Sequence, residues 1–168
     1  LSAPEPTDDY AGDLSTTGII ETGQYVGDFD WFDQVSGELE TDGDHDWFAM
    51  NLLANTTYLF EIESVMEQGS INVDLRYSDG SLIYEPGTVI TEDGLYSWAP
   101  IESGTYFIDV SSLSTGSGSY QLFAYQDDYA GDTSTTGLLE IGIDGYVTGA
   151  IDTFDDHDWF AMNLLANT

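Results

Sequence analysis

Apolar and polar residues alternate along this chain in short runs, each closed by Gly, Ser, Asn or Pro. GTYFIDVSS (104–112) and GSYQLFAYQ (118–126) place large side chains on alternate positions, the period of a half-buried strand. GLYSWAP (94–100) is a shorter run of the same kind. INVDLRYSDGSLIY (71–84) reads as two alternating runs around Ser78, Asp79 and Gly80, a hairpin signal. DWFAMNLLANTTYLFEIESV (46–65) splits into two apolar runs at Asn55, Thr56 and Thr57. No segment keeps a helical apolar period for three turns, and MEQGS (66–70) is too short to count. Many short strands at this spacing predict an all-β fold, an antiparallel β-sandwich or jelly roll. Within it, one of Trp47 and Phe48 should face the core and the other a sheet surface. Tyr106, Phe107, Tyr120 and Phe123 should divide between core and outer face in the same way.

The pattern occurs twice. DDYAGDLSTTGIIETG (8–23) returns as DDYAGDTSTTGLLEIG (127–142), identical at 12 of 16 positions and offset by 119 residues. DHDWFAMNLLANT stands unchanged at 44–56 and at 156–168, offset by 112. The seven residues lost between these landmarks fall in QYVGDFDWFDQ (24–34), which faces only IDGY (143–146). Self-similarity over one domain length indicates a tandem array. The expected organisation is a linker over 1–7, a complete module over 8–126, and the front part of a second module over 127–168. That front part lacks counterparts of the 57–126 strands and would expose an apolar edge. Two outcomes are expected: strand exchange with neighbouring chains, which builds a filament when the rotation does not close, or an array that runs on past this stretch.

Charge changes the picture more than any other aspect of composition. The 168 residues carry 32 Asp and Glu against one basic residue, Arg76, for a formal net charge of −31. Hydrophobic residues still make up 41% of the chain, so a packed core is affordable and an acidic disordered tail is excluded. Self-repulsion of this size calls for high salt or bound divalent cations. With no basic patch, nucleic acid is excluded as a partner. Membrane insertion is excluded because no apolar run approaches a spanning length. There are no cysteines, so cations are the expected staple. A start at LSAPEPT without Met reads as processed or excised. The expected location is extracellular or at a cell surface.

The strongest chemical signal is DGDHD (42–46), with Asp42, Asp44 and Asp46 on alternate positions. Alternate carboxylates on an extended chain converge on one side, which suits a hard cation seeking six to eight oxygens. An EF-hand is excluded, since Trp47 stands where its Gly is required and Leu53 where its Glu is. Further ligands must come from elsewhere, and the acidic start offers Glu5, Asp8, Asp9 and Asp13.

The start PEPTDDYAGD (4–13), the core G-x-L…D-x-DWF-x-x-x-L and the closing pair GTYFIDV…GSYQLFA together resemble the bacterial pre-peptidase C-terminal domain family. The resemblance covers nearly all of 4–126 and the front of the second copy. It implies a non-catalytic, calcium-binding β-sandwich of jelly-roll type from a secreted bacterial protein. Such modules flank peptidases and recur in large adhesins. It also implies that Glu5, Asp8 and Asp9 hold calcium with Asp42, Asp44 and Asp46. In the second copy the corresponding acids are Asp127, Asp128, Asp156 and Asp158, and Asp132 stands where Asp13 does. Phe154 replaces Asp42 there and Ala124 replaces Glu5, leaving Asp155 as the substitute ligand.

Other candidates are weaker. His45 and His157 are flanked by carboxylates, but each copy has one His and no Cys, too few partners for zinc or a catalytic set. They read as exposed loop residues. Trp31 and Phe32, in the segment missing from the second copy, are candidates for stacking on a sugar or docking a protein. The leading reading is a non-catalytic, calcium-stabilised extracellular repeat module with a structural or adhesive role, partnered by neighbouring modules of the same protein. The alternative is an accessory protein- or carbohydrate-binding module of a secreted peptidase or other hydrolase. A metal-dependent hydrolase ranks below both.

Overall fold

In the computed structural model, the described residues are 7–24, 34–66, 70–83, 90–91, 96–112, 116–129, 131, 133, 135–139, 146–149, 151 and 157–164. Ten strands follow in chain order: β1 (Gly18–Ile19), β2 (Gly23–Gln24), β3 (Gln34–Leu39), β4 (His45–Leu52), β5 (Tyr58–Met66), β6 (Ile71–Arg76), β7 (Ile90–Thr91), β8 (Tyr96–Trp98), β9 (Gly104–Ser112) and β10 (Gly118–Gln126). They form two sheets. One runs β1-β4-β9-β6-β7; the other runs β2-β10-β5-β8, with β3 also paired to β10. From β3 to β6, and again from β7 to β10, each connection crosses from one sheet to the other. The result is an antiparallel β-sandwich of jelly-roll type, as the alternation predicts. Two short pairings, β1 with β4 and β2 with β10, are parallel, because one N-terminal arm runs along an edge of each sheet.

Local chemistry fixes the turns. Asn55 adopts a left-handed conformation (φ 56°) between β4 and β5, which separates the two apolar runs where the sequence predicts. After β6, Gly80 (φ 84°) closes a turn in which the Gly80 amide donates to the Tyr77 carbonyl at 2.9 Å. The chain then returns as a bridge from Leu82 to Arg76, completing the hairpin. The segment 67–69 within MEQGS lies outside the described residues.

Alternation divides the aromatics. Phe48, Tyr106 and Tyr120 lie in the core with Phe60, Ile62, Val73, Ile108 and Leu122. Trp47 and Phe107 pack against each other on the outer face of the first sheet, with ring centroids 5.7 Å apart. Phe123 is half-buried and stacks on Tyr125 along the outer face of the second sheet.

Arg76 also lies on the outer face of the first sheet. Its Nε and Nη2 both donate to Asp109 Oδ2, at 2.9 and 2.6 Å, and its guanidinium sits 4.5 Å from the Trp47 ring centroid. Asp109 is fully buried and holds His45 Nδ1 at 2.8 Å through its other oxygen. His45 is exposed, as the sequence implies, but it begins β4 and is tethered to Asp109 instead of lying in a loop. The one cation of the chain is spent on a buried carboxylate and neutralises no part of the acidic loop.

The front of the second copy repeats the local pairing of the first. Leu138 bridges Ala161 in parallel, as Ile19 pairs with Ala49. Thr135 Oγ1 donates to the Trp159 carbonyl at 2.6 Å, as Thr16 Oγ1 does to that of Trp47. Tyr129 packs on Phe160 at 4.9 Å, as Tyr10 packs on Phe48 at 4.6 Å.

Candidate metal centre

The arm preceding β1 carries the first two acids of the site. Thr16 Oγ1 accepts from the Gly18 amide and donates to the Trp47 carbonyl, anchoring the arm to β4. Tyr10 covers Phe48, and Gly12 lies so close to β4 that a Cβ there would stand 2.5 Å from the His45 carbonyl oxygen. Only a residue without a side chain permits this approach. Asp8 and Asp9 are thereby laid over the β3–β4 connection, at the seam between the sheets.

Two hydrogen bonds join the arm to that connection. The Asp9 amide donates to Glu40 Oε1 at 3.1 Å, and the Glu38 amide donates to Asp9 Oδ2 at 3.1 Å. The connection is itself a turn, with Gly43 at φ 81° and the Asp44 amide donating to the Thr41 carbonyl. Asp44 closes it by accepting from the Glu40 and His45 amides at 2.8 and 2.9 Å.

Five carboxylates converge here in two overlapping triads. Asp8, Glu40 and Asp44 each offer one oxygen, all within 4.8 Å of one another, and so do Asp8, Asp9 and Asp46. That span equals two cation–oxygen bonds of about 2.4 Å, the calcium distance. Asp46 is fully buried on the inner side of β4. Its Oδ2 accepts from the Tyr120 hydroxyl of the opposite sheet at 2.6 Å, while Oδ1 has no hydrogen-bond partner. Glu40 Oε2 is likewise buried without a partner. Buried carboxylate oxygens facing other carboxylates are costly in their charged form unless a proton or a cation joins them.

The titration behaviour records that cost. Burial pushes Asp46 up to about 8, with Asp9, Asp44 and Glu40 adding repulsion against the Tyr120 hydrogen bond, which pulls the other way. Burial, then the contact and charge of Asp44, push Glu40 up to about 7. Asp9 is raised by burial too. Burial and the hydrogen bond to Asp46 push the Tyr120 hydroxyl above its ordinary range, so it acts as a donor at every accessible pH. An all-oxygen, anionic, partly buried donor set of this kind fits a hard divalent cation such as calcium and offers no soft ligand. Asp8, Asp9, Glu40, Asp44 and Asp46 are the residues that would hold it, and the cation would supply the positive charge that these clustered carboxylates lack.

Of the acids singled out in the sequence, the structure brings Asp8, Asp9, Asp44 and Asp46 together. Asp42 stays exposed and outside both triads, because the 41–44 turn breaks the alternation that would have aligned it. Asp13 is exposed as well; its Oδ1 accepts from the Ser15 amide at 2.7 Å, and Ser15 lowers its pKa. It shapes the arm's turn instead of joining the cluster. Glu40 is the addition. Its signal was present, since every second residue from Glu38 to Asp46 is acidic. In the second copy Asp127, Asp128 and Asp158 converge in the same way. Glu5, Asp132, Asp155, Asp156, Trp31 and Phe32 lie outside the described residues.

Fold and site define the chain as a β-sandwich with an acidic seam closed by its own N-terminal arm. No protein-family model and no curated protein matches it. Solved structures with a similar fold include PliG of Aeromonas hydrophila, a periplasmic inhibitor of g-type lysozyme: 20% identity, 66% of this chain, all of that one, TM-score 0.43. The pre-peptidase C-terminal domain of collagenase from Bacillus anthracis aligns at 18% identity over 63% of this chain and 93% of its own, with TM-score 0.39. PliG of Salmonella Typhimurium aligns at 12% identity over 66% and 99%, with TM-score 0.37. Among the described residues, no helix is long and apolar enough to cross a membrane.

Proposed function

We propose that this chain is a non-catalytic extracellular repeat module whose arm and sandwich are clasped together by calcium. In this reading it serves a structural or adhesive role beside neighbouring modules of the same protein. The observation that carries the reading is Asp46: a fully buried carboxylate with Oδ1 unpartnered, turned toward Asp8 and Asp9 from the arm. A charge placed there destabilises the fold by itself and stabilises it once a cation is bound. Because the ligands come from the arm, the β3–β4 turn and β4, binding fixes the linker to the sandwich and stiffens the array. The recurrence of the arrangement at Asp127, Asp128 and Asp158 supports the same role in each repeat.

The test is a calcium titration followed by thermal melting at low ionic strength. Calcium should raise the melting temperature saturably, magnesium should do so less, and EDTA should reverse the effect. A melting curve indifferent to both calcium and EDTA would end the cation reading and leave salt screening to explain the acidity.

A further inference from the structure

The end of the sandwich remote from the acidic seam holds a cleft of about 320 Å³. β4 starts at the seam and finishes beside Gly104 at the cleft, so its eight residues separate the two by about 25 Å. Tyr77 and Ser78 line the cleft from the turn after β6, and Ile101, Glu102, Thr105 and Tyr106 line it from the entry to β9. The entry segment is held by the turn after β4. There the Ala54 amide donates to Ser103 Oγ at 2.8 Å and the Asn55 amide to the Pro100 carbonyl at 2.7 Å. The Tyr77 and Tyr106 rings lie 6.2 Å apart, while Tyr77 and Ile101 are 40% and 80% exposed.

The hydrogen bonds already made in the lining limit what it can receive. The Tyr106 hydroxyl donates to the Glu102 carbonyl at 2.8 Å, and the Thr105 hydroxyl donates to Asn51 Oδ1 at 3.0 Å. Each hydroxyl has one proton, so both oxygens can only accept from a ligand. Glu102 adds a carboxylate. Burial holds the Tyr106 hydroxyl above its ordinary range, and Glu102 and Tyr77 raise it further, which places both head groups near it. Among the described residues the lining holds no basic group. Acceptors gathered beside tyrosine rings suit a cation rich in N–H donors. An anion would meet a formal net charge of −31 and find no partner there.

We propose that this cleft receives the ammonium or guanidinium head of a Lys or Arg side chain from a basic partner protein. The apolar stem of that side chain lies along Ile101 and the Tyr77 ring, and its head meets Glu102. A second copy of these 168 residues does not supply the group: it has no lysine, and its one arginine, Arg76, is turned onto Asp109. The acid excess of the whole chain steers a basic partner toward it, and the cleft gives that attraction a point of contact. Because cleft and seam lie at opposite ends of β4, neither depends on the other.

The experiment titrates the 168-residue protein with a blocked Gly-Lys-Gly peptide, in calcium and in EDTA, and follows NMR shifts. Saturable shifts should appear at Tyr77, Ile101 and Glu102 in both conditions, and a blocked Gly-norleucine-Gly peptide should cause none. Glu102→Gln and Tyr77→Leu should each weaken binding about fivefold or more. Glu63→Gln removes the same charge from an exposed position on the second sheet and should leave the affinity unchanged. Equal weakening by Glu63→Gln and Glu102→Gln would overturn the proposal, because the field of the whole molecule would then account for the binding. Putrescine shifting the same residues as tightly as the peptide would also overturn it, giving the cleft to a small amine. So would N-acetylglucosamine shifting them where the lysine peptide does not, for then the cleft is a sugar site.

Discussion

Replacing Asp46 with Asn isolates the charge at the centre of the site. Asn keeps the shape and can still accept from the Tyr120 hydroxyl, so the substitution removes the ionisation and little else. In the metal-free protein Asp46 titrates near 8 against an ordinary 3.8. Its native pKa is raised, so the folded state binds more protons than the unfolded one between those values. Metal-free stability must therefore fall as pH rises through that window. The shift is about four units, and at about 1.4 kcal/mol per unit the charged form costs on the order of 5 kcal/mol by pH 8.5. In a chain of this size that is on the order of 10 °C in melting temperature.

The assay is melting by circular dichroism from pH 5 to 8.5 in EDTA, at one ionic strength, for wild type and Asp46→Asn. At pH 5 Asp46 is protonated in the folded protein and only about a quarter of that loss has accrued, so the two melting temperatures should lie close together. At pH 8.5 the Asn variant should melt higher. With calcium the order should invert, since the wild type gains a ligand charge that the variant lacks. Parallel pH profiles for the two proteins in EDTA, or an equal calcium response, would refute the reasoning.

Glu40→Gln should show a smaller version of the same effect, with the metal-free difference appearing between about pH 5 and 7, where Glu40 titrates; melting in EDTA reads it. Asp13→Asn and Asp42→Asn should leave the calcium response of the melting temperature unchanged, because neither joins the cluster. Gly12→Ala should loosen the arm and lower calcium affinity at least several-fold by isothermal titration, since its Cβ would press on the His45 carbonyl. Arg76→Met removes the guanidinium from the buried Asp109 carboxylate, leaving His45 as its side-chain partner among the described residues, and should cost about 3–5 kcal/mol in urea denaturation.

Much of this molecule is written in local pattern. The period-2 runs at 104–112 and 118–126 can bury one face only as strands, and the Asn55 and Gly80 turns are local conformational preferences. The repeat, the acid excess and the acidic DGDHD stretch need no coordinates either. The site's membership was only partly legible. Asp8 and Asp9 lie about thirty residues from the turn they meet, and a close approach at Gly12 decides that meeting. Asp42 looked equivalent to Asp44 until Gly43 bent the chain. Sequence spacing orders side chains only while the backbone stays extended.

Tertiary structure decided three things that pattern cannot carry. It set Asp46 under Tyr120 of the opposite sheet, which leaves that carboxylate buried and electrostatically strained. It drew Arg76 onto Asp109, away from the acidic loop. And it gave the identical stretches 45–52 and 157–164 different environments: Trp47, Met50 and Leu52 are buried beside β9, whereas Trp159, Met162 and Leu164 are exposed. The physical reason is common to all three. Local sequence dictates the strand and its two faces, whereas desolvation and pairing depend on which distant strand lies alongside.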